Sequence, residues 1–227
     1  VIALKGAYEK EIAALREAIK NSGSDVEIFE MGYFYPAGDE QTLIQQVTGR
    51  CVPERGLPSD VGCVVDNVGT VLNIADALEG KAVTEKYLSV VGEVTHTMQL
   101  HVPIGTSVLE CVRAAKPTIS EFALIMGGPM MGFAQKNFDV TICKNSSGVL
   151  LLPQSESIAY GSAGCIRCGR CVEGCPMNLV PCLLGNAIEA ERFELAAQNH
   201  VMDCLECGSC AYVCPAHRPL GEHMRRA

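Results

Sequence analysis

The sequence contains one cysteine pattern twice, as CIRCGRCVEGCP at residues 165–176 and as CLECGSCAYVCP at residues 204–215. Both copies have the spacing C-x2-C-x2-C-x3-C-P, in which the first three thiolates can bind three irons of one iron–sulfur cube. The fourth cysteine, which is followed by proline, is directed towards a second cube. The doubled pattern therefore predicts two [4Fe–4S] clusters with crossed ligation.

Each predicted cluster takes three cysteines from one copy of the pattern and the last cysteine from the other copy. The ligands assigned to cluster one are Cys165, Cys168, Cys171 and Cys214. The ligands assigned to cluster two are Cys204, Cys207, Cys210 and Cys175.

Structural zinc and disulfide bonds are the alternatives for so many cysteines. A zinc site normally separates two C-x2-C pairs by a loop, and it needs neither a third cysteine at the same spacing nor a trailing proline. Disulfides need an oxidising compartment, and cysteines this close in sequence would mostly form strained bonds. The cluster interpretation is therefore favoured. The cysteines outside the two copies share no spacing and are expected to be small buried apolar residues: Cys51, Cys63, Cys111, Cys143 and Cys182.

Length and composition limit the other classes of function. A chain of 227 residues can hold two modest or three small domains. Its formal net charge of −8 argues against a phosphate-binding surface, so nucleic acid is not an expected partner. No unbroken apolar run reaches the length of about 18 residues that a membrane helix needs, so any membrane association is expected to come from a partner. Free thiols together with iron–sulfur chemistry predict a reducing cytosol.

The N-terminal part of the sequence has the pattern of an α/β domain. A strand at 1–4, a helical face that includes Tyr8 and Ile19, and a strand at 26–28 form one strand–helix–strand unit. Two loops follow, each before a predicted helix: Gly38-Asp39-Glu40 and Asp66-Asn67-Val-Gly-Thr70. Such loops bind ligands in open α/β sheets, but ordinary helix capping explains the same residues equally well. A further strand is predicted at 62–65.

The pattern changes from helical to alternating at about residue 87. Strands are predicted at 88–94, 98–102, 122–126, 140–143 and 149–152, around a helix at 107–115. This arrangement is typical of a small α+β module, and it contains the glycine-rich turn GGPMMG at 127–132. Pro153 and the serines after it predict a linker, and one amphipathic helix is predicted at 187–198 between the cysteine patterns.

The cysteine patterns, the GGPMMG turn and the two loops together resemble the C subunit of the Rnf (or Rsx) electron-transport complexes. The resemblance covers the whole chain and implies three domains in the family's order. Residues 1–85 would be the C-terminal part of an α/β, complex-I-flavoprotein-like domain for FMN and NADH. Residues 86–153 would be a β-grasp (SLBB-like) α+β domain, and residues 154–227 an α-helical ferredoxin-like domain with the two clusters.

The N-terminal domain is also similar to the flavin-bearing subunit of respiratory complex I. That resemblance implies cofactor contacts for residues of the two loops: Gly38, Asp39, Glu40, Asp66, Asn67 and Thr70. Asp66 departs from the family's asparagine. The family's glycine-rich phosphate loop, G-x-G-G-A-G-F-P, would precede Val1 and does not occur in this sequence. We therefore expect this chain alone, as a C-terminal fragment of the family protein, to lack NADH dehydrogenase activity.

The family resemblance implies an electron-transfer subunit of a ferredoxin:NAD oxidoreductase complex that is coupled to ion translocation. The implied cofactors are two [4Fe–4S] clusters, with FMN and NAD(H) in the intact protein. The implied partners are the other subunits of the membrane complex, with ferredoxin reached through that complex. The implied location is peripheral, on the cytoplasmic face of the cell membrane. Two alternatives stay open: an iron–sulfur component of a soluble reductase system, and a non-catalytic docking scaffold.

The residues between the cysteines differ in charge between the two copies. Arg167 and Arg170 in the first copy correspond to Glu206 and Ser209 in the second. Positive charge near a cluster stabilises its reduced, more negative form. Cluster one is therefore expected to have the higher reduction potential, unless both arginines point into water.

Overall fold

The computed structural model describes residues 1–157 and 163–227. The predicted linker after Pro153 lies partly outside these residues. The chain folds into an N-terminal unit, a middle unit and a C-terminal unit, which are defined below by their elements.

The N-terminal unit contains a parallel pair of strands and three helices. Strand β1 (Ile2–Lys5) and strand β2 (Ile28–Met31) pair in parallel and are joined by helix α1 (Glu9–Ser22), as the sequence pattern predicts. Helices α2 (Glu40–Thr48) and α3 (Val68–Leu78) follow. A short 3₁₀ helix lies between them at Pro58–Val61.

The strand predicted at 62–65 is not formed, and this prediction is wrong. A strand needs a neighbour to pair its backbone groups, and the described residues provide none at this position. Val64 is consequently 84% exposed. Helix α3 also exposes apolar side chains: it is rich in apolar residues, and none of them is buried.

The middle unit is a mixed five-stranded sheet with one helix packed on it. Its elements are β3 (Glu85–Gly92), β4 (Met98–Pro103), α4 (Val108–Ala115), β5 (Phe122–Met126), β6 (Phe133–Gln135) and β7 (Gly148–Pro153). The strand order is β4-β3-β7-β5-β6. The central strands β3 and β7 are parallel, and the other neighbours are antiparallel.

The core of this unit lies between α4 and the sheet. Helix α4 buries Val108 and Val112 against sheet residues that include Leu88 and Leu151. The strand predicted at 140–143 is wrong, since only Thr141 forms a bridge there, to Ser107. Ile142 instead fills the core and is fully buried. Strand β6, which follows the GGPMMG turn, was not predicted because it has only three residues.

The C-terminal unit is helical. Its helices are α5 (Arg170–Glu173), α6 (Pro181–Glu189), α7 (Phe193–Gln198), α8 (Ser209–Tyr212) and α9 (Leu220–Arg226). The single helix predicted at 187–198 is wrong, because a turn at 190–192 separates α6 from α7. Glu191 has a φ of +55°, which ends α6 and lets α7 fold back on it. Leu184, Ile188 and Ala196 are buried as a result.

Within residues 1–157 and 163–227, no helix has both the length and the apolar composition that crossing a membrane requires.

We expect Leu151→Ala to destabilise the protein by about 2–5 kcal/mol, because the substitution leaves a cavity between α4 and the sheet. Leu151 is fully buried, whereas Leu78 is 87% exposed and provides a matched control. The Leu78→Ala change should stay within about 0.5 kcal/mol of the parent. Urea unfolding followed by circular dichroism measures both. Equal losses in the two variants would contradict the assigned core.

Candidate metal centres

The two cysteine patterns adopt the same backbone conformation. In the first copy, Arg167 and Gly169 have φ values of +56° and +83°. In the second copy, Glu206 and Gly208 have φ values of +51° and +79°. Each glycine is followed by a one-turn helix, α5 or α8, that carries the third cysteine. The sequence repeat is therefore also a structural repeat.

The repeat continues beyond the fourth cysteine of each copy. Asn178 and His217, each three residues after that cysteine, have φ values of +54° and +50°. Their backbone N–H groups donate to the carbonyl oxygens of Cys175 and Cys214, over 3.2 Å and 3.1 Å. This turn redirects the chain after each Cys-Pro pair. Leu179 in the first copy consequently corresponds to Arg218 in the second.

The eight cysteines lie around two separate cavities. Cavity one, of about 530 Å³ with open solvent included, is lined by Cys165, Cys168, Cys171 and Cys214. Cavity two, of about 420 Å³, is lined by Cys175, Cys204, Cys207 and Cys210. Each cavity takes its fourth cysteine from the other copy of the pattern. This grouping is the one that the crossed assignment expects.

Burial gives three of these thiols, those of Cys171, Cys204 and Cys210, an environment that disfavours charge. It raises the pKa of Cys210 to about 12 and, together with the neighbouring Cys182 thiol, raises the pKa of Cys171 to about 11. Burial also raises the pKa of Cys204, and the backbone N–H of Glu206, which donates to the Cys204 sulfur over 3.4 Å, partly opposes this rise. Bound iron would offset the cost of burying thiolate charge, so a donor set of four cysteines per cavity fits a [4Fe–4S] cluster.

The two cavities differ in what surrounds them. The Tyr35 hydroxyl of the N-terminal unit donates to the Cys207 carbonyl over 2.8 Å. In the GGPMMG turn, the carbonyl oxygen of Met130 lies so close to Gly208 that an added Cβ would be only 2.9 Å away. Both other units therefore cover the loop around cavity two. At cavity one, by contrast, Cys168 is exposed and Ile166 is 66% exposed.

A second contact joins the N-terminal and C-terminal units. His200 Nδ1 lies 2.9 Å from Glu54 Oε2, and this carboxylate raises the pKa of the exposed His200.

The other cysteines only partly match their prediction as buried apolar residues. Cys111 is buried in the core of the middle unit, as expected. The prediction is wrong for Cys51 and Cys143, which are exposed, and Cys63 is partly exposed. Cys182 is partly buried and lines cavity one beside Cys171. The first helical turn of α6 brings its thiol there, which the sequence spacing did not reveal.

The polar residues of the two N-terminal loops act as helix caps. Asp39 Oδ1 accepts from the backbone N–H groups of Gln41 and Thr42 at the start of α2, over 3.0 Å and 3.1 Å. Asn67 Oδ1 accepts from the N–H of Gly69 at the start of α3, over 2.9 Å. Capping was the alternative that the sequence left open for these loops.

The remaining loop residues assigned to the cofactor site lie at the surface. These are Gly38, Glu40, Asp66 and Thr70. Among the described residues, no hydrogen bond or ion pair joins the loop at 38–40 to the loop at 66–70. The structure thus brings the predicted cluster ligands together but does not join the predicted flavin residues into one site.

Besides Cys182, sequence reasoning missed Tyr35 and Arg218 at the cavities. Tyr35 lies 172 residues before Cys207, so no local pattern could connect them. Arg218 is buried beside cavity one. Aligning the two cysteine patterns beyond their prolines would have marked Arg218, because it stands where the first copy has Leu179.

Two family descriptions match this chain. Residues 1–76 match the Nuo51 FMN-binding domain. Residues 157–215 match the 4Fe-4S dicluster domain, which contains all eight cysteines of the two cavities. The chain thus combines a flavoprotein-type domain with a ferredoxin-type domain.

Curated relatives extend this similarity along the chain. The C subunit of the proton-translocating ferredoxin:NAD(+) oxidoreductase complex of Clostridium ljungdahlii is 39% identical over 84% of this chain and 42% of the relative. Cobalamin reductase PduS of Citrobacter freundii is 35% identical over 95% of this chain and 52% of the relative. The C subunit of the Na(+)-translocating complex of Acetobacterium woodii is 35% identical over 87% of this chain and 46% of the relative. The chain spans about half the length of these relatives.

A solved structure shares the fold at low sequence identity. The NAD+-reducing [NiFe]-hydrogenase in the H2-reduced state aligns with 99% of this chain and 46% of the hydrogenase chain, with a TM-score of 0.56 and 18% identity. Together with the two matched domains, the curated relatives make this chain similar, over most of its length, to the C subunits of ion-translocating ferredoxin:NAD(+) oxidoreductase (Rnf) complexes.

Proposed function

We propose that this chain is the electron-transfer part of an Rnf-type ferredoxin:NAD oxidoreductase complex that is coupled to ion translocation. The observation that carries the proposal is the grouping of the eight pattern cysteines around two cavities, four to each, with the fourth cysteine crossed. Four thiolates per cavity form the donor set of a [4Fe–4S] cluster. Clusters of this type supply one-electron transfer when bound.

The chain's own residues would hold, orient and shield the clusters. Cluster one would be bound by Cys165, Cys168, Cys171 and Cys214, and cluster two by Cys204, Cys207, Cys210 and Cys175. The Tyr35 hydroxyl fixes the Cys207 carbonyl, and Met130 lies against Gly208. These contacts would limit the access of water to cluster two, and solvent access influences the reduction potential of a cluster.

The domain arrangement that we propose has residues 1–85 as part of an FMN/NADH domain, 86–153 as a β-grasp domain and 154–227 as the cluster domain. The match of residues 1–76 to an FMN-binding domain supports the first assignment. A helix packed across a mixed five-stranded sheet supports the second. The match of residues 157–215 supports the third.

In the intact protein, we propose that Gly38, Asp39, Glu40, Asp66, Asn67 and Thr70 contribute to the FMN and NAD(H) site. Their support is the FMN-binding family match and their place at the starts of α2 and α3. Helix N-termini offer free backbone N–H groups. The capping hydrogen bonds of Asp39 and Asn67 would then hold the loops in shape for a ligand.

The proposed partners are the other subunits of the membrane complex, with ferredoxin reached through them. The names of the relatives from Clostridium ljungdahlii and Acetobacterium woodii support this proposal. The proposed location is accordingly peripheral, on the cytoplasmic face of the cell membrane.

One observation favours a second candidate function. The similarity to cobalamin reductase extends over 95% of the chain, compared with 84% for the relative from Clostridium ljungdahlii. The same two clusters would then serve a soluble reductase that acts on cobalamin. To distinguish the two candidates, the reduced chain is mixed anaerobically with cob(III)alamin and, separately, with oxidised ferredoxin. The acceptor that oxidises the chain faster in stopped flow indicates which function applies.

We expect about eight iron and eight acid-labile sulfide per chain after anaerobic purification, because each cavity offers the four pattern cysteines assigned to one cluster. Elemental analysis and sulfide assay measure both. Stoichiometric zinc, or four iron, would remove the proposal. A folded protein without any cluster would leave only the docking-scaffold alternative.

Crossed ligation predicts which cluster each cysteine variant damages. Cys214→Ser should change the same EPR signal as Cys168→Ser, although Cys214 belongs to the second sequence copy. Cys175→Ser should likewise match Cys207→Ser. The exposed Cys143 lies outside both sets, so Cys143→Ser is the control and should keep both signals. A Cys214→Ser spectrum that matches Cys207→Ser would defeat the crossed assignment.

The cover over cavity two can be tested with Tyr35→Phe. Removing the hydroxyl that donates to Cys207 loses a hydrogen bond of about 0.5–1.5 kcal/mol, so a chelator should extract iron from cluster two about two- to tenfold faster. Cluster one should be unaffected. Tyr33 is 84% exposed, and Tyr33→Phe is the matched control. Equal extraction rates in the parent and in Tyr35→Phe would show that the contact does not shield the cluster.

A further inference from the structure

Arg218 is a buried cation on the wall of cavity one. Its side chain is 4% exposed, and it lines the cavity together with Cys165 and Cys214. The guanidinium lies within electrostatic range of the Cys165 sulfur. A charged side chain is almost never buried unless it is paired, so the buried guanidinium of Arg218 is expected to have a partner for its charge and for its N–H groups.

One end of the guanidinium is anchored to helix α6. Nη2 of Arg218 lies 2.5 Å from Oε2 of Glu189. His223 holds the other oxygen of the same carboxylate, with Nε2 at 3.4 Å from Oε1. The anchor fixes the position of the positive charge relative to the cavity. Glu189 itself is about half exposed, so water weakens its compensation of that charge.

The other end of the guanidinium has no partner with full hydrogen-bond geometry among the described residues, although the guanidinium interacts with the Cys165 thiol on the same cavity wall. Nη1 of Arg218 is fully buried and unpaired. Burying an N–H donor without an acceptor costs about 1–3 kcal/mol, and more for a charged group. The backbone leaves room for this end at Gly185, where an added Cβ would lie 3.7 Å from Nη1. A buried donor of this kind on a cavity wall indicates an acceptor that belongs in the cavity. The Nδ1 atom of His223 is similarly unpaired, but His223 does not line either cavity.

The internal repeat shows that this arrangement is specific to cavity one. The residue that corresponds to Arg218 is Leu179, which is buried and lines cavity two. The two cavities thus have the same cysteine framework but a cation on one wall and an aliphatic side chain on the other. Arg167 also lines cavity one, but its side chain is exposed to water, which screens its charge.

We propose that Arg218 sets the reduction potential of cluster one above that of cluster two, through its fixed charge and the free N–H of Nη1. This inference rests on the proposed function, because it requires clusters in both cavities. A buried positive charge stabilises the form of the cluster that carries the additional electron. A hydrogen bond to a cluster sulfur acts in the same direction.

The test uses the full chain with its clusters, in potentiometric titrations followed by EPR. Arg218→Leu gives cavity one the residue that cavity two has. At a fixed potential, the ratio of reduced to oxidised cluster one should fall about tenfold or more, and tenfold equals 59 mV for one electron. The ratio of reduced to oxidised cluster two should stay within about twofold of the parent's. Arg226→Leu, an exposed change of the same charge on α9, should move neither ratio.

A second variant separates an electrostatic role from a merely structural one. Glu189→Gln removes the negative charge beside the guanidinium, so the ratio for cluster one should rise instead of fall. This variant also decides the question if Arg218→Leu cannot hold cluster one. A fall or no change in Glu189→Gln would then overturn the inference.

The outcomes distinguish this inference from the function on which it rests. A parent protein with no clusters overturns both. If the parent and Arg218→Leu each hold eight iron and cluster one has the same potential in both, only the inference about Arg218 is overturned. The electron-transfer proposal then stays intact.

Discussion

The crossing of the fourth cysteine between the two copies is the constraint on which the C-terminal unit depends. Cys175 lies at cavity two and Cys214 at cavity one, so neither copy can complete its own set of four. The two one-turn helices α5 and α8 must therefore pack against each other. The chain between the two copies must therefore return to its starting point. It does so because α6 ends at Glu189 and α7 folds back against it instead of continuing.

Cavity two is also the place where the three units of the chain meet. Tyr35 contacts Cys207 from the N-terminal unit, and the GGPMMG turn contacts Gly208 from the middle unit. The turn thereby acquires a role that its glycine-rich sequence does not reveal by itself. Its backbone approaches the cysteine loop so closely that a side chain at Gly208 would not fit. The cavity that the N-terminal unit contacts is thus the better covered one, while cavity one faces outwards at Cys168.

The two cavities have nearly the same arrangement of cysteines but different residues on their walls, and this difference can give two similar metal centres different properties. The cysteines assigned to the two cavities form the same donor set, since each cavity offers the four thiolates that a [4Fe–4S] cluster needs. The residues behind the cysteines then set the charge and the hydrogen bonds around each centre. Arg218 at cavity one and Leu179 at cavity two occupy corresponding positions and are both buried, so solvent does not equalise their effects.

The sequence by itself determined the cysteine sets, the helical character of the cluster region and the α/β and α+β character of the units before it. Most of these features are local: spacing within a few residues groups three thiolates of each set, and periodicity decides helix or strand. The crossed fourth cysteine follows from the proline-terminated pattern occurring twice. Only the tertiary structure decided that residues 62–65 form no strand, that Ile142 fills a core, and that Asp39 and Asn67 cap helices without joining into one site. The tertiary structure alone also placed Tyr35 against Cys207 and Arg218 beside Cys165. Strand pairing, burial and long-range contacts all depend on neighbours that are distant in sequence, and no local pattern specifies those neighbours.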